Sequence, residues 1–411
     1  MRCTRAKKHC TILITHIKNK QKMSTSIKLM VMILVALVSF PCHAYDFESD
    51  GIYYNILSEA DRTVEVTYLY SNADNKDAYR GSIKIPANVN HDSNTYTVTT
   101  IGRHAFLLCT ELTSLELPNS ITTIETEAFL RCAGLTSVTL PNSLTTLGDQ
   151  AFTNCSSLTS ITLPASLTTI GEIAFQNCSA MVNINVEAGN PMFSSIDGVV
   201  YDKDATTILI CPERKTEVAL PNSLTTVGVN AFRNCSSLTS IPLPGTLTAI
   251  ENTAFSGCSG LTSITLPSSL TAIGILAFSR CAALTSIQMQ CMTPIECTPA
   301  FSEDVLKNAI LYIPQGTLAA YKAVEPWKNF ANIEEMDFSG VADIEAGEAT
   351  SLRLTVSDGH LIIDGINDSE NVTISDMQGR TVYSGTARSI DGLVPGLYII
   401  KTGRHTAKFS I

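Results

Sequence analysis

Residues that do chemistry or grip partners are scarce in this chain. Its 411 residues include one tryptophan and seven histidines, with 7% aromatic and 16% charged side chains. Four of the histidines lie beyond residue 44, at His91, His104, His360 and His405, in unrelated segments. Catalysis needs titratable groups converging on one pocket. Serines and threonines abound, yet no base follows them at a fixed offset, and the HExxH, GxSxG and Gly-rich phosphate-loop patterns are absent. No CxxC pair occurs and no histidine keeps step with the cysteines, which removes a zinc site. The expectation is a protein that is not an enzyme and has no catalytic, cofactor-binding or metal-binding residues.

Long apolar runs are also missing. The run from Leu29 to Phe40 holds 12 residues, whereas a bilayer span needs roughly 20. Lys28 to Ala44 instead has the plan of a secretory signal: a basic start, that apolar run, and Cys42-His43-Ala44 with small residues three and one before the expected cut. Pro41 stands where a lipoprotein signal wants a small residue, and Met23 makes a more ordinary signal start than Met1. Residues 1–44 carry eight Lys and Arg and no Asp or Glu, so taking them from the 28 leaves 20 basic against 38 acidic side chains, a net charge of −18. Such an acidic chain repels nucleic acid and anionic lipid. The expected mature protein binds no nucleic acid, has no membrane span and is exported, secreted or held at the outer cell surface; its oligomeric state is left open.

What is present is a repeat. Ala-Phe with a cysteine three positions after the Phe returns at Phe106/Cys109, Phe129/Cys132, Phe152/Cys155, Phe175/Cys178, Phe232/Cys235, Phe255/Cys258 and Phe278/Cys281, every 23 residues except for one step of 57. That step is one unit plus a unit lengthened by 11 residues. Fixed periods of 20 to 50 residues belong to solenoids, whose units bury their apolar sides by stacking. Leu112-Thr-Ser-Leu-Glu-Leu-Pro118 carries the L-x-x-L-x-L opening of a leucine-rich strand, Ile121-Thr-Thr-Ile124 is a second apolar pair, and the Ala105-Phe106 region predicts a helical or 3₁₀ turn. Leu117, Leu140, Leu163, Val186, Leu220, Leu243, Leu266 and Met289 mark eight coils, with about eight inward side chains each. Thirteen cysteines fall to ten in the mature chain, and seven of those keep the repeat phase. Equivalent residues of stacked coils have parallel side chains, so buried free thiols acting as small hydrophobes are expected rather than disulfides.

The fold class predicted is mainly β: a leucine-rich repeat solenoid of 23-residue coils with β caps and a small C-terminal β-sandwich. Residues 45–100 read as an N-terminal β cap with a turn at Ser71 to Asn75, 101–290 as the solenoid, 291–336 as a C-terminal cap, 337–351 as a linker and 352–411 as the sandwich. The period is lost after Met289, where one helix is predicted over Thr317 to Val324 and Trp327 reads as cap core. The long coil, 187–219, reads as a projecting β-hairpin of Asp197 to Tyr201 and Thr207 to Cys211, its Asp202 and Asp204 simply solvated.

The outward residues of the strand face are Ser114/Glu116, Ser137/Thr139, Ser160/Thr162, Asn183/Asn185, Ser240/Pro242, Ser263/Thr265 and Ser286/Gln288. The face lacks the Trp, Tyr and Arg of interface hot spots, so binding there would be weak per contact. It also lacks the aromatic platforms that a glycan would need. The less repetitive segment 190–216 is the better candidate patch. Candidate partner-binding residues are therefore Phe193, Tyr201 and Lys203, with Glu116, Asn183, Asn185 and Gln288 on the strand face. A structural coat without a defined receptor is the alternative.

The unit Leu-Thr-Ser-Ile-Thr-Leu-Pro-x-Ser-Leu-Thr-x-Ile-Gly-x-x-Ala-Phe-x-x-Cys, seen from Leu158 to Cys178, resembles the BspA-like leucine-rich repeats of bacterial surface proteins. Tyr45-Asp-Phe47, Ser195 to Tyr201 and Leu311 to Leu318 resemble flanks of that family. The resemblance implies an exported protein that adheres to a protein partner, a host matrix or bacterial surface protein. Asp376-Met-Gln-Gly-Arg380 and Gly396 to Lys401 are similar to the C-terminal sorting domain of type IX secretion cargo in Bacteroidetes-like bacteria. That likeness implies a tail that directs export and is open to cleavage; a domain that merely completes the fold is the alternative.

Overall fold

The computed structural model describes residues 45–69, 78–297 and 299–338, together with the strands and adjoining residues of the C-terminal region. The expected signal, the Ser71 to Asn75 turn, nearly all of the linker, and Met377, Gln378, Gly379, Arg380 and Gly396 of the sorting-like motifs lie outside the described residues. The chain divides into two units, one reaching Glu335 and one from Met336.

In the first unit the period of the sequence becomes the register of the strands. Ser114 pairs with Ser137, Ser160 with Asn183 and Ser263 with Ser286, each in parallel and each 23 residues on. A second line of two-residue strands runs beside them: Thr123–Ile124, Thr146–Leu147 and Thr169–Ile170 pair in parallel, as do Thr226–Val227, Ala249–Ile250 and Ala272–Ile273. Between them Leu135, Val138, Leu140, Leu144, Leu147, Ala151, Phe152 and Cys155 of one coil are all buried. These eight inward residues supply the coil's apolar surface, and it is covered only by the coils on either side.

The Ala-Phe turn is neither α-helix nor 3₁₀ helix. It is a chain of turns closed by i to i+3 backbone bonds, such as Leu107 N to His104 O and Cys109 N to Phe106 O. Residues two before and two after each Phe take positive φ, as at Gln150 (55°) and Asn154 (63°). That left-handed backbone breaks any helix after one turn and aims the amides along the stack, where Phe129 N meets Ala151 O and Phe152 N meets Ala174 O, both at 2.8 Å. The Phe rings stack in consequence, 4.8 Å apart between Phe129 and Phe152 and 1° from parallel.

The stacking reaches further than the cysteine phase suggests. Phe301, 23 residues after Phe278, stacks on it at 5.1 Å although no cysteine follows. Ile310–Pro314 adds a parallel strand beside Ser286–Met289. The helix predicted over Thr317 to Val324 is shorter, Leu318–Tyr321, and a second one, Glu303–Asn308, precedes it. Trp327 is fully buried there and donates its indole N–H to Ile295 O at 2.7 Å. At the other end Phe47–Ser49, Ile52–Ser58 and Thr63–Thr67 form an antiparallel meander that passes into Asn94–Ile101, the first strand of the second line.

The second unit consists of two antiparallel sheets. One holds Arg353–Ser357, His360–Asp364 and Ser389–Ile390; the other holds Thr381–Gly385, Val372–Asp376, Leu397–Lys401 and Thr406–Ser410. Leu361, Ile363 and Ile390 of the first share one core with Val372, Ile374, Tyr398 and Ile400 of the second, which makes a small β-sandwich.

Candidate binding surface

The strand face offers little to grip. Glu116 is exposed but ion-paired with Lys84 across to Gly81–Lys84. Asn185 is exposed, whereas Asn183 is half-buried with its Oδ1 3.4 Å from Lys215 Nζ. Gln288 is only 6% exposed and its Oε1 accepts the Thr265 hydroxyl at 3.2 Å, which removes it as a contact residue. The neighbouring strand Ile310–Pro314 places Tyr312 beside it. Many threonines of the coil have an internal job: Thr145 and Thr168 each donate a hydroxyl to the threonine carbonyl one coil back, at 3.1 and 3.2 Å.

Segment 190–216 differs from expectation in shape. It is a three-stranded antiparallel meander, Phe193–Ile196, Val199–Asp202 and Thr207–Ile210, whose last strand pairs in parallel with Thr226–Val227 and so continues the second strand line. It does not project. Val199, Val200, Tyr201 and Ile208 are buried, and Tyr201, at 0% exposure, presents nothing to a partner. A strand flanked on both edges and both faces buries alternate residues equally, which the two-strand reading missed. Phe193 is half-buried, and Lys203 is exposed with its ammonium donating to Asn190 O.

Asn190 is the residue that sequence reasoning overlooked. It is fully buried and its Nδ2 donates to the carbonyls of Pro164 and Leu167 at 3.0 and 2.8 Å, while its Oδ1 accepts the Met192 and Phe193 amides. In regular coils a serine does part of this work, as Ser166 does for Leu144 O at 2.6 Å. The signal was its place 23 residues after Leu167 with no Ser in phase.

The meander also splits the array. Cys211 takes the backbone slot of a Phe: its amide donates to Ala231 O at 2.7 Å, and Cys235 Sγ lies 3.7 Å from its carbonyl, as Cys258 Sγ lies 3.0 Å from Phe232 O. A cysteine fills far less space than a phenyl ring, so the Phe ladder is broken between Phe175 and Phe232. Asp202 adds to the split. Its carboxylate takes the Thr206 and Thr207 amides at 2.7 and 3.0 Å, which in regular coils bond the threonine carbonyl one coil back. Burial opposes its charge, but the Thr206 hydroxyl and these amides outweigh it and hold the carboxyl below its usual range. Here the coils enclose an open cleft of about 550 Å³, lined by Ile170, Phe175, Phe193, Leu209, Cys211 and Val229. Glu172, Glu213, Glu251 and Arg233 stand around it.

Nine of the ten described cysteines are buried and all ten are free. Cys132, Cys155, Cys178, Cys258 and Cys281 direct Sγ at the Phe carbonyl one coil back, 2.9 to 3.2 Å away. Burial pushes Cys109 and Cys281 up to about 12 and Cys132 and Cys178 well above the ordinary thiol value, so these sulfurs are inert. No group of three or more metal-ligating side chains occurs among the described residues. None of their helices is long and apolar enough to cross a membrane.

A family profile described as BspA type leucine-rich repeat region matches residues 77–198 and 212–317 in 6 copies, more than half of the chain. The chain belongs to the BspA-type leucine-rich repeat family. The unmatched gap, 199–211, holds the last two strands of the meander. Among solved structures, a leucine-rich repeat protein from Eubacterium ventriosum is similar at 21% identity over 65% of this chain and 76% of that one, with a TM-score of 0.50, a likeness of fold. A leucine-rich cell surface protein from Faecalibacterium prausnitzii is 22% identical over 74% of this chain and 98% of its own, with a TM-score of 0.34. The pneumococcal vaccine antigen PcpA is 17% identical over 71% and 98%, with a TM-score of 0.37. No curated protein sequence matches the chain.

Proposed function

We propose that this BspA-type protein is exported to the cell surface and binds protein partners, a host matrix protein or a protein on another bacterium, without catalysing a reaction. The observation that carries the reading is the contrast along one solenoid: regular coils present small hydroxyls, whereas the interrupted coil gathers apolar side chains and carboxylates in an open cleft. Repeats that are alike everywhere suit a spacer; one irregular coil suits recognition. The signal-like Lys28 to Ala44 and the sorting-like tail support export. The test is saturable binding of the purified chain to immobilised matrix proteins and to whole bacteria, alongside protease shaving of producing cells. Retention inside the envelope overturns the surface reading. The tail's role is read separately: truncation after Asp337 is expected to remove the protein from the surface, and unchanged display leaves the tail as a fold-completing domain.

The nearly uncharged hydroxyl face favours one other reading, a surface coat without a receptor. Surface display with no saturable partner would establish it.

A further inference from the structure

The splayed coil leaves one edge of the array unsatisfied. In the regular part each coil bonds the next through a set of backbone groups that includes two acceptors and two donors: the threonine carbonyl and the Ile or Leu carbonyl of the short strand accept, and the amides of the Phe and of the residue two before it donate. Thr145 O, Leu147 O, Gln150 N and Phe152 N are so bonded by Thr168, Gly171, Glu172 and Ala174. One coil on, the Thr168 and Ile170 carbonyls and the Ile173 and Phe175 amides have no partner among the described residues. The groups that would meet them are diverted. Asp202 takes the Thr206 and Thr207 amides, and Asn177 N, two residues after Phe175, is met by the Glu213 carboxylate at 2.6 Å instead of a backbone carbonyl. Ile170, Ile173 and Phe175 line the same cleft, whose opposite wall carries Leu209 and the half-exposed Val229.

We propose that this cleft receives an extended peptide segment of a protein partner, which lies along the Thr168 to Phe175 edge as a substitute coil, seats an apolar side chain beside Phe175 and Leu209, and carries a basic residue. Two acceptors followed by two donors in one strand-and-turn edge call for a peptide backbone, since adding a strand to a free edge satisfies both kinds at once. The charge selects the partner: the exposed carboxylates Glu172 and Glu251 flank the cleft against one guanidinium, Arg233, and an acidic peptide would be repelled. A volume of about 550 Å³ lies within the range of about 300 to 1,000 Å³ usual for ligand pockets. The inference rests on the protein-binding reading and locates its site.

The probe is a fluorescein-labelled peptide with the sequence of residues 223–233, Ser-Leu-Thr-Thr-Val-Gly-Val-Asn-Ala-Phe-Arg, which is the short-strand and turn half of a coil of this protein and ends in a basic residue. Fluorescence polarisation with the purified full chain should show saturable binding. Val229→Arg and Glu172→Arg, both at solvent-exposed positions, should each weaken it at least tenfold with unchanged circular dichroism and melting temperature. Replacing the peptide's final Arg by Glu should weaken it likewise. Absence of saturable binding, or binding indifferent to Val229→Arg, overturns the proposal. Self-association of the chain that Val229→Arg abolishes without peptide overturns it in favour of a second copy. Partner binding by whole cells that survives Val229→Arg while the peptide fails removes the cleft and leaves the protein-binding reading standing. Peptide binding lost in Val229→Arg, with no cell or matrix binding, supports the cleft and removes the wider reading.

Discussion

Two polar groups in the interrupted coil, one buried and one half-buried, make predictions at the scale of single residues. The Tyr201 hydroxyl is buried with no hydrogen-bond partner among the described residues, and an unmet hydroxyl costs about 1 to 3 kcal/mol. Tyr201→Phe should therefore raise stability by about 1 kcal/mol in urea denaturation; a loss of that size would mean that the hydroxyl has a partner. Glu213 is the other. Burial pushes its carboxyl up to about 7, against the lowering effects of the Asn177 amide and Arg233. The folded state thus holds a proton that the unfolded chain releases near the ordinary glutamate value, so the contribution of Glu213 to stability falls as pH rises from about 4.5 to about 7. Glu213→Gln keeps an acceptor for Asn177 N and removes the charge. It should be more stable than the parent at pH 8 by about 1 kcal/mol, a figure discounted for solvent screening of the half-buried side chain, with the gap closing towards pH 5. A gap independent of pH would show that the carboxyl titrates normally.

Coils are elements whose stability depends on how their ends are satisfied. Asn190 closes the last regular coil of the first stack by meeting Pro164 O and Leu167 O from inside the protein. Asn190→Leu keeps the branched skeleton and strands both carbonyls, along with the Met192 and Phe193 amides that Oδ1 accepts. A loss of about 2 to 4 kcal/mol is expected, with amide hydrogen exchange rising first at Met192 and Phe193. Unchanged exchange there would assign the turn to the strand pairing alone. The same coil explains why the expected hairpin forms yet does not project. Alternation in Val199 to Tyr201 cannot reveal that a third strand, Phe193–Ile196, covers the far edge, and a two-residue strand such as Thr226–Val227, which pairs with Thr207 and Ile208, gives no periodic signal.

The whole first unit holds two apolar cores, one from Phe47 to Val200 and one from Val199 to Phe330, that meet at the interrupted coil. A stack whose coils touch only their neighbours unfolds by segments when one interface is weak. Phe152→Ala, in the first core, should cost about 3 to 5 kcal/mol and should expose amides of 105–180 to exchange at lower denaturant than those of 230–300. Trp327 fluorescence reports the second core, and its transition should move less than the exchange midpoints of the first. Equal shifts in both would make the unit one cooperative block.

The sequence by itself determined the solenoid, its coil length and its inward residues, because a period of 23 brings Phe on Phe and Cys on Cys, and only stacking buries them. The left-handed residues of the turn left no such trace: His104, Glu127, Gln150 and Ile173 share a φ near +50 to +60° but no side-chain type. Tertiary structure alone decided which outward residues reach water. Gln288 and Tyr201 sit in strands that read as open, and neighbouring elements cover them; Val229, unremarkable as a letter, lines the cleft with the candidate Phe193. That cleft exists because Asp202 and Glu213 intercept amides that regular coils give to backbone carbonyls, a competition between hydrogen bonds settled only once the coils are side by side.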